Sequence, residues 1–249
     1  MSLDRCSVIK QRFNTSKSMK AQMLLSKLLS LKDDMGSIRR VVGLDVSYLR
    51  FKEVELGLGT LVILNYPELE PYKCYYTTRM ICIPYIPGLL AFREMEVLAP
   101  LLARVLEEVE VDLLVVDGHG VAHPRGFGIA SHIGLAFNKP SIGVAKSLLS
   151  GREDYIGGRR FIVQGDRIVG GVLEVKSGKL YVSPGHRVSV ETAIRLIESM
   201  IKPSYNLPEP TRLADMIGRE LRRRVRGASV LDIKECPVRT LQFFPGGSI

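Results

Sequence analysis

From residue 41 onward, apolar positions gather into short β-rich runs, VVGLDVSY (41 to 48), ELGLGTLVILNY (55 to 66) and KCYYTTRMICIPY (73 to 85). Polar or Pro-containing turns separate them, and they predict an early antiparallel meander that Pro84 and Pro87 close. The apolar period then lengthens to that of a helix over roughly 90 to 109, shortens to a strand at 112 to 117, and repeats as a helix near 130 to 137 and a strand at 140 to 146. Two further β runs, 160 to 174 and 179 to 183, precede helical patterns at 189 to 201 and 211 to 226. A meander followed by alternating helices and strands predicts an α/β fold: a mixed central sheet, antiparallel first and parallel after, flanked by helices.

The two ends are less patterned. TSKSMKAQMLLSKLLSLK (15 to 32) carries Met23, Leu24, Leu25, Leu28, Leu29 and Leu31 at near-helical spacing with basic residues between, and predicts an amphipathic helix whose job is packing. From Asp232 the tail DIKECPVRTLQFFPGGSI has no clear period and is expected to be extended or poorly ordered. The expected layout is one domain over 1 to 231 and a C-terminal tail over 232 to 249, with no repeat or low-complexity tract.

Composition narrows this picture little. At 249 residues, 46% hydrophobic and 24% charged, the chain is that of an ordinary globular protein with room for a sizeable core. Charge adds more: 35 Lys and Arg against 26 Asp and Glu give a formal +9, which points to a polyanionic partner or to a basic surface kept for solubility. Cys6, Cys74, Cys82 and Cys236 show no CxxC spacing, so neither a zinc site nor a disulfide framework is predicted and reduced thiols are expected. The N-terminus lacks the apolar region of a signal peptide and no window reaches bilayer length. A cytoplasmic setting without a membrane partner is the expectation.

The candidate chemistry lies where VDLLVVDGHGVAHPRG (111 to 126) delivers Asp117 from an apolar strand into a loop of Gly, His and Arg. Such a strand is covered on both faces, and ligand chemistry in open α/β sheets gathers beyond strand ends. Asp45, within VVGLDVSY, is a second strand acid, and a buried carboxylate needs a cation or donors. Glu94 and Asp215 are candidate third and fourth oxygen ligands, and an all-oxygen set selects Mg²⁺ or Mn²⁺ over Zn²⁺. For each acid alone the plainer reading, an exposed strand residue, a solvated helix face or an acid in a helix's first turn, is the better one; their order along the chain shifts the balance toward a shared cation.

GLDVSY (43 to 48), PYIPGLLAFRE (84 to 94), VVDGHGVAHPRGFGIASHIG (115 to 134), PSIGVAKSLL (140 to 149), VSPGHRVS (182 to 189) and PEPTRLAD (208 to 215) together resemble the endonuclease V family, which incises nucleic acid near deaminated purines. The family's order of motifs is kept across most of residues 41 to 216. The resemblance implies a ribonuclease H-like fold and a metal site of Asp45, Glu94 and Asp117, with Lys146 near the scissile phosphate and Asp215 contacting the metal directly or through water. It assigns Pro84, Tyr85, Ile86, Pro87 and Gly88 to a wedge that opens the duplex. Gly88, Leu90, Gly120, Gly128, Ile129 and Gly143 fall to a main-chain pocket for a flipped base. Taken without the family, PYIP is a Pro-rigidified turn with a packed Tyr. His123 and Arg125 either touch phosphate or satisfy nearby carbonyls and acids; His119 stands where many members carry Gln, and His186 reads as structural or as a backbone contact.

The implied activity is a Mg²⁺-dependent nick, with Mn²⁺ as substitute, at the second phosphodiester 3′ of deoxyinosine in DNA, leaving 3′-hydroxyl and 5′-phosphate ends and initiating repair. Two rivals stand beside it: a ribonuclease acting on inosine in RNA, and a non-catalytic nucleic-acid binding module on the same fold. Arg219, Arg222, Arg223, Arg224 and Arg226 are candidates for phosphate contact or simply for the helix's C-terminal dipole. Phe243 and Phe244 either dock on a partner or pack back onto the domain.

Overall fold

The computed structural model of the protein describes residues 3 to 51, 54 to 224 and 231 to 236. Along the chain run α1 (Leu3–Arg12), α2 (Thr15–Leu25) with a 3-10 turn at Ser26–Leu28, β1 (Arg40–Phe51), β2 (Val54–Asn65), β3 (Glu70–Met80), α3 (Leu90–Glu108), β4 (Leu113–Asp117), α4 (Ile129–Phe137) and β5 (Ser141–Ala145). They continue with β6 (Arg152–Ile156), β7 (Arg159–Gln164), β8 (Arg167–Val175), β9 (Gly178–His186), α5 (Val190–Met200), α6 (Glu209–Arg224) and β10 (Leu231–Glu235). The strands form one sheet in the order β10-β3-β2-β1-β4-β5-β9-β8-β7-β6. Among the described residues, β1 with β4 and β4 with β5 pair in parallel at the centre of the sheet, and the flanking strands pair antiparallel. The mixed sheet flanked by helices is the expected α/β class.

Strand alternation explains the two cores. In β4, Leu113 and Val115 join the core under α5 and α6 with Ile194, Ile197, Leu213 and Ile217, while Leu114 and Val116 join the core under α3 and α4 with Leu98, Leu101 and Ile133. A strand buried on both faces has no room for polar alternation, hence the unbroken LLVV. On β1, a Cβ at Gly43 would collide with the carbonyl of Pro210, so glycine there lets the start of α6 lie directly on the strand.

Four expectations change. The helix of 15 to 32 stops at Leu25, and its packing is inverted: Leu24 and Leu28 are 65% and 64% exposed, whereas Ser18 and Gln22 are buried. The β run of 160 to 174 is two strands split at Gly165, whose φ of +61° turns the chain, and β6 precedes them. The tail contributes β10, paired antiparallel with β3 on the sheet's edge; Phe243, Phe244 and Arg226 lie outside the described residues. Finally, the cysteines are paired, Cys6 with Cys82 and Cys74 with Cys236, across separations of 76 and 162 residues. Local spacing cannot reveal partners that only the tertiary fold brings together. Among the described residues no helix is long and apolar enough to cross a membrane.

Candidate active site

Asp45 and Asp117 meet because their strands are neighbours in register. The parallel ladder of β1 and β4 ends at Leu44 opposite Val116, so the next residue on each strand is an aspartate. Alternation turns Asp45 to the same side as Gly43, toward α6, and a Cβ on Gly218 of that helix would come within 3.4 Å of Asp45 Oδ2. The same Cβ would meet Thr60 Oγ1 at 3.1 Å and Ser47 Oγ at 3.3 Å, so Gly218 leaves open a small polar cradle behind the carboxylate. Thr60, directly opposite Asp45 on β2, has a buried hydroxyl without a hydrogen-bond partner among the described residues.

Glu94, in the second turn of α3, and Lys146, just beyond β5, complete one cleft of about 390 Å³ with Asp45 and Asp117. Lys146 Nζ donates to Asp117 Oδ2 at 2.8 Å, and Tyr48 donates to Glu94 Oε1 at 3.0 Å. Burial, then repulsion from Asp117 and Asp215, pushes Asp45 up to about 7, with Lys146 pulling the other way. Burial likewise pushes Glu94 up to about 8; its bond from Tyr48 opposes this, and Asp45 and Asp117 add to it. The Lys146 ammonium loses from burial but gains more from Asp117, Asp215 and Asp45, so its pKa is raised.

These carboxylates repel one another in a partly dry cleft, an arrangement that a cation relieves. Among the described residues, however, no three His, Cys, Asp or Glu side chains already stand in ion-holding array. Two of the three acids are instead held by Lys146 and Tyr48. Asp215 lies outside the cleft lining and pairs with Arg219, with contacts of 3.0 and 2.9 Å, yet it is near enough for its charge to act on Asp45 and Lys146. The donor set is all oxygen, and the orphaned Thr60 hydroxyl beside Asp45 adds another polar group; the residues fit a hard divalent ion.

Tyr85, Pro87, Gly88, Leu90, His123, Gly128 and Ile129 line the same cleft, with Tyr85 67% exposed at its lip. Pro84, Ile86, Gly120, Arg125 and Gly143 do not line it. Gly120 and Gly143 instead lie against each other: a Cβ on Gly143 would come within 2.5 Å of Gly120 N, and the Gly120 N–H and carbonyl are engaged by Ser183 Oγ and the Gly128 N–H. Arg125 and His123 turn inward to Gly88, whose carbonyl accepts from Arg125 Nη2 at 2.6 Å and from His123 Nε2 at 3.0 Å. Because a carbonyl only accepts, His123 carries its proton on Nε2, leaving Nδ1 to accept from the Arg125 N–H at 3.2 Å. Burial, then the Arg125 charge, lowers His123 to about 4.

Gln22 also lines the cleft, a residue that the apolar pattern of 15 to 32 hides. The signal available was the polar set Ser18, Gln22 and Ser26 at i, i+4 spacing on one helical face. His186 accepts from the Ser30 N–H through Nδ1 at 3.3 Å, a tie between the N-terminal segment and β9. Arg223 and Arg224 pair with Glu220 on their own helix. A larger hollow of about 470 Å³ lies between β7, β8 and α5, but its Arg160 and Lys202 are already matched by Glu153, Glu174 and Glu209.

The endonuclease V sequence profile matches residues 22–216. Endonuclease V of Aeropyrum pernix is 43% identical over 220 residues, 88% of this chain and 85% of that protein. Endonuclease V of Ignicoccus hospitalis is 41% identical over 86% of this chain and 98% of its own length. Human endonuclease V superposes with a TM-score of 0.76 at 31% identity, covering 85% of this chain and 99% of that one. Endonuclease V of Ciona intestinalis, solved with a 24mer DNA containing an inosine followed by a ribo-adenosine, superposes at 0.74 with 26% identity over 85% of this chain and 98% of its own. With its profile spanning most of its length and relatives above 40% identity over most of theirs, the chain belongs to the endonuclease V family.

Proposed function

We propose that this chain is a Mg²⁺-dependent endonuclease that recognises deaminated bases, chiefly deoxyinosine in DNA, and nicks the second phosphodiester on the 3′ side, leaving 3′-hydroxyl and 5′-phosphate ends. The observation that carries this reading is the acidic floor of one cleft, Asp45, Glu94 and Asp117 beside Lys146, with an exposed Tyr85 at its lip. Asp45, Glu94 and Asp117 would hold the metal, and Asp215 would add negative charge behind them. When bound, the ion supplies polarisation of the phosphate and a lowered pKa for the attacking water.

The protein's own residues do the rest. Lys146, released from Asp117 by substrate, balances the charge of the scissile phosphate through Nζ. Tyr85, held out by Pro84 and Pro87, fills the space vacated in the base stack. The walls at Gly88, Leu90, Gly128 and Ile129 enclose the extruded base, and extrusion is cheapest for a weakly paired one, which favours a lesion over an ordinary base. The endonuclease V of Ciona intestinalis, crystallised on inosine-containing DNA, supports this choice of partner.

The test is incubation with 5′-labelled DNA and RNA duplexes, each with one inosine, in Mg²⁺, Mn²⁺ or chelator. A nick one nucleotide beyond inosine in DNA, present with either ion and absent with chelator, is expected. Cleavage that survives chelation, or a product that maps elsewhere, overturns the mechanism; preference for the RNA duplex transfers the activity to the ribonuclease reading.

A further inference from the structure

Gln22 is 0% exposed on a helix whose Leu24 faces solvent, and every polar atom of its side chain is used. Nε2 donates to the carbonyls of Gly88 and Phe127, both at 3.1 Å, and Oε1 accepts from Arg125 Nε at 2.6 Å. Arg125 Nη2 and His123 Nε2 donate to the same Gly88 carbonyl. Three donors therefore converge on one oxygen, in a glycine whose φ of +76° and lack of Cβ admit the guanidinium, since a Cβ there would come within 2.7 Å of Arg125 Nη2. Gly88 ends the segment that carries Tyr85. Cys82, two residues before that segment begins, is covalently tied to Cys6 of α1. The N-terminal arm thus grips both ends of the loop that borders the cleft.

We propose that Gln22 is a positioning residue for lesion recognition: acting through Arg125 and the Gly88 carbonyl, it fixes the Tyr85 loop against the wall formed by Phe127 and Gly128. The inference rests on the proposed function for its substrate, but not for its geometry. Gln is suited to the role because it bridges two carbonyls and one guanidinium, needing two donors and one acceptor on a single planar group. Glu keeps the acceptor yet sets an oxygen against two carbonyls, and Met fills the volume without either.

The test compares the full-length wild type with Gln22→Ala, Gln22→Met and, as a control on the same helix, Ser18→Ala. In the protein alone, amide exchange across 84 to 89 should rise about tenfold in both Gln22 variants, the scale of one lost buried hydrogen bond, with β1 and β4 unchanged. On the inosine duplex with Mg²⁺, KM should rise about tenfold while kcat stays within about twofold, the mark of lost binding rather than lost chemistry. Arg125→Lys, which keeps the charge but removes the guanidinium fork, should reproduce both changes and serves if the Gln22 variants do not fold. Wild-type exchange and KM in Gln22→Ala, or their restoration by Met, overturns the inference. Failure of the wild type to nick inosine overturns the proposed function instead, and the exchange result still decides whether Gln22 holds the loop.

Discussion

Lys146 Nζ and Asp117 Oδ2 stand 2.8 Å apart at the ends of adjacent parallel strands, with the lysine half exposed and the aspartate three-quarters covered. A partly exposed pair of this kind is worth at most about 1 kcal/mol of stability. Its position over the cleft gives it a different meaning, a cation held ready beside the acids. Lys146→Met should therefore leave thermal stability within about 1 kcal/mol of wild type while lowering the nicking rate by roughly a hundredfold, the scale of one lost electrostatic contact to the reacting phosphate. Single-turnover rates and melting curves on the same preparation check both halves.

Asp45 and Glu94 are held protonated well above their ordinary range, to about 7 and about 8. The folded metal-free protein thus binds protons that the unfolded chain has already released, and the stability this supplies is lost as pH rises through those values. Above about pH 6.5, melting temperature in chelator should fall with rising pH, Asp45→Asn should flatten that fall, and Mg²⁺ should reverse it. A wild-type melting temperature that is flat from pH 6.5 to 8.5 in chelator would contradict the mutual repulsion of these acids.

His132 and His123 act with the opposite sign. Burial, then the His123 charge, lowers His132 to about 3, between the rings of Phe92 and Phe127, and His123 is lowered to about 4. Their stability is present above the unfolded value near 6.5 and is lost as pH falls toward the folded values. Between about pH 4.5 and 6.5 they offset the two acids, so total stability should change little there. Removing one histidine should unbalance the sum: His132→Phe should gain on wild type steadily as pH drops below 6.5, measured as the difference in urea midpoints.

Asp117→Ala should abolish turnover, by at least about a thousandfold, while much of the affinity for inosine DNA persists. Tyr85→Ala should do the reverse, weakening lesion binding first, because the ring is exposed at the cleft lip and takes no part in the acid cluster. Binding isotherms in chelator and rates in Mg²⁺ separate the two. Parallel loss of binding and folding in Asp117→Ala would make that residue structural.

Reduction should cost the protein stability through both cross-links. Cys74–Cys236 ties β10 to β3, and Cys6–Cys82 ties α1 to the segment before Tyr85. Each closes a long loop and is expected to contribute about 2 to 4 kcal/mol. Melting with and without reductant, compared with the Cys74→Ser and Cys6→Ser variants, should show two separable losses.

What the sequence made legible follows from locality. The central strands and the acids on them could be read because LLVV followed by Asp carries burial and chemistry in five consecutive residues. The mixed sheet followed from the change of apolar period after Pro87. Gln22 was hidden because its partners lie 66, 103 and 105 residues away, and Leu24 and Leu28 near it advertise a packing face that the fold leaves exposed. The disulfides were hidden for the same reason. β10 escaped because an edge strand paired on one side needs little apolar patterning, and Asp232, Lys234 and Glu235 supply almost none.

Since one aspartate on each strand follows the last residue pair of the β1–β4 ladder, their backbones stand one inter-strand step apart, about 4.8 Å. The sheet acts as the ruler of the acidic floor. Loops around the cleft can lengthen, change sequence or shift to favour another base without altering that interval. Only a slip of β1 against β4 would change it, and such a slip would turn one aspartate into the opposite core.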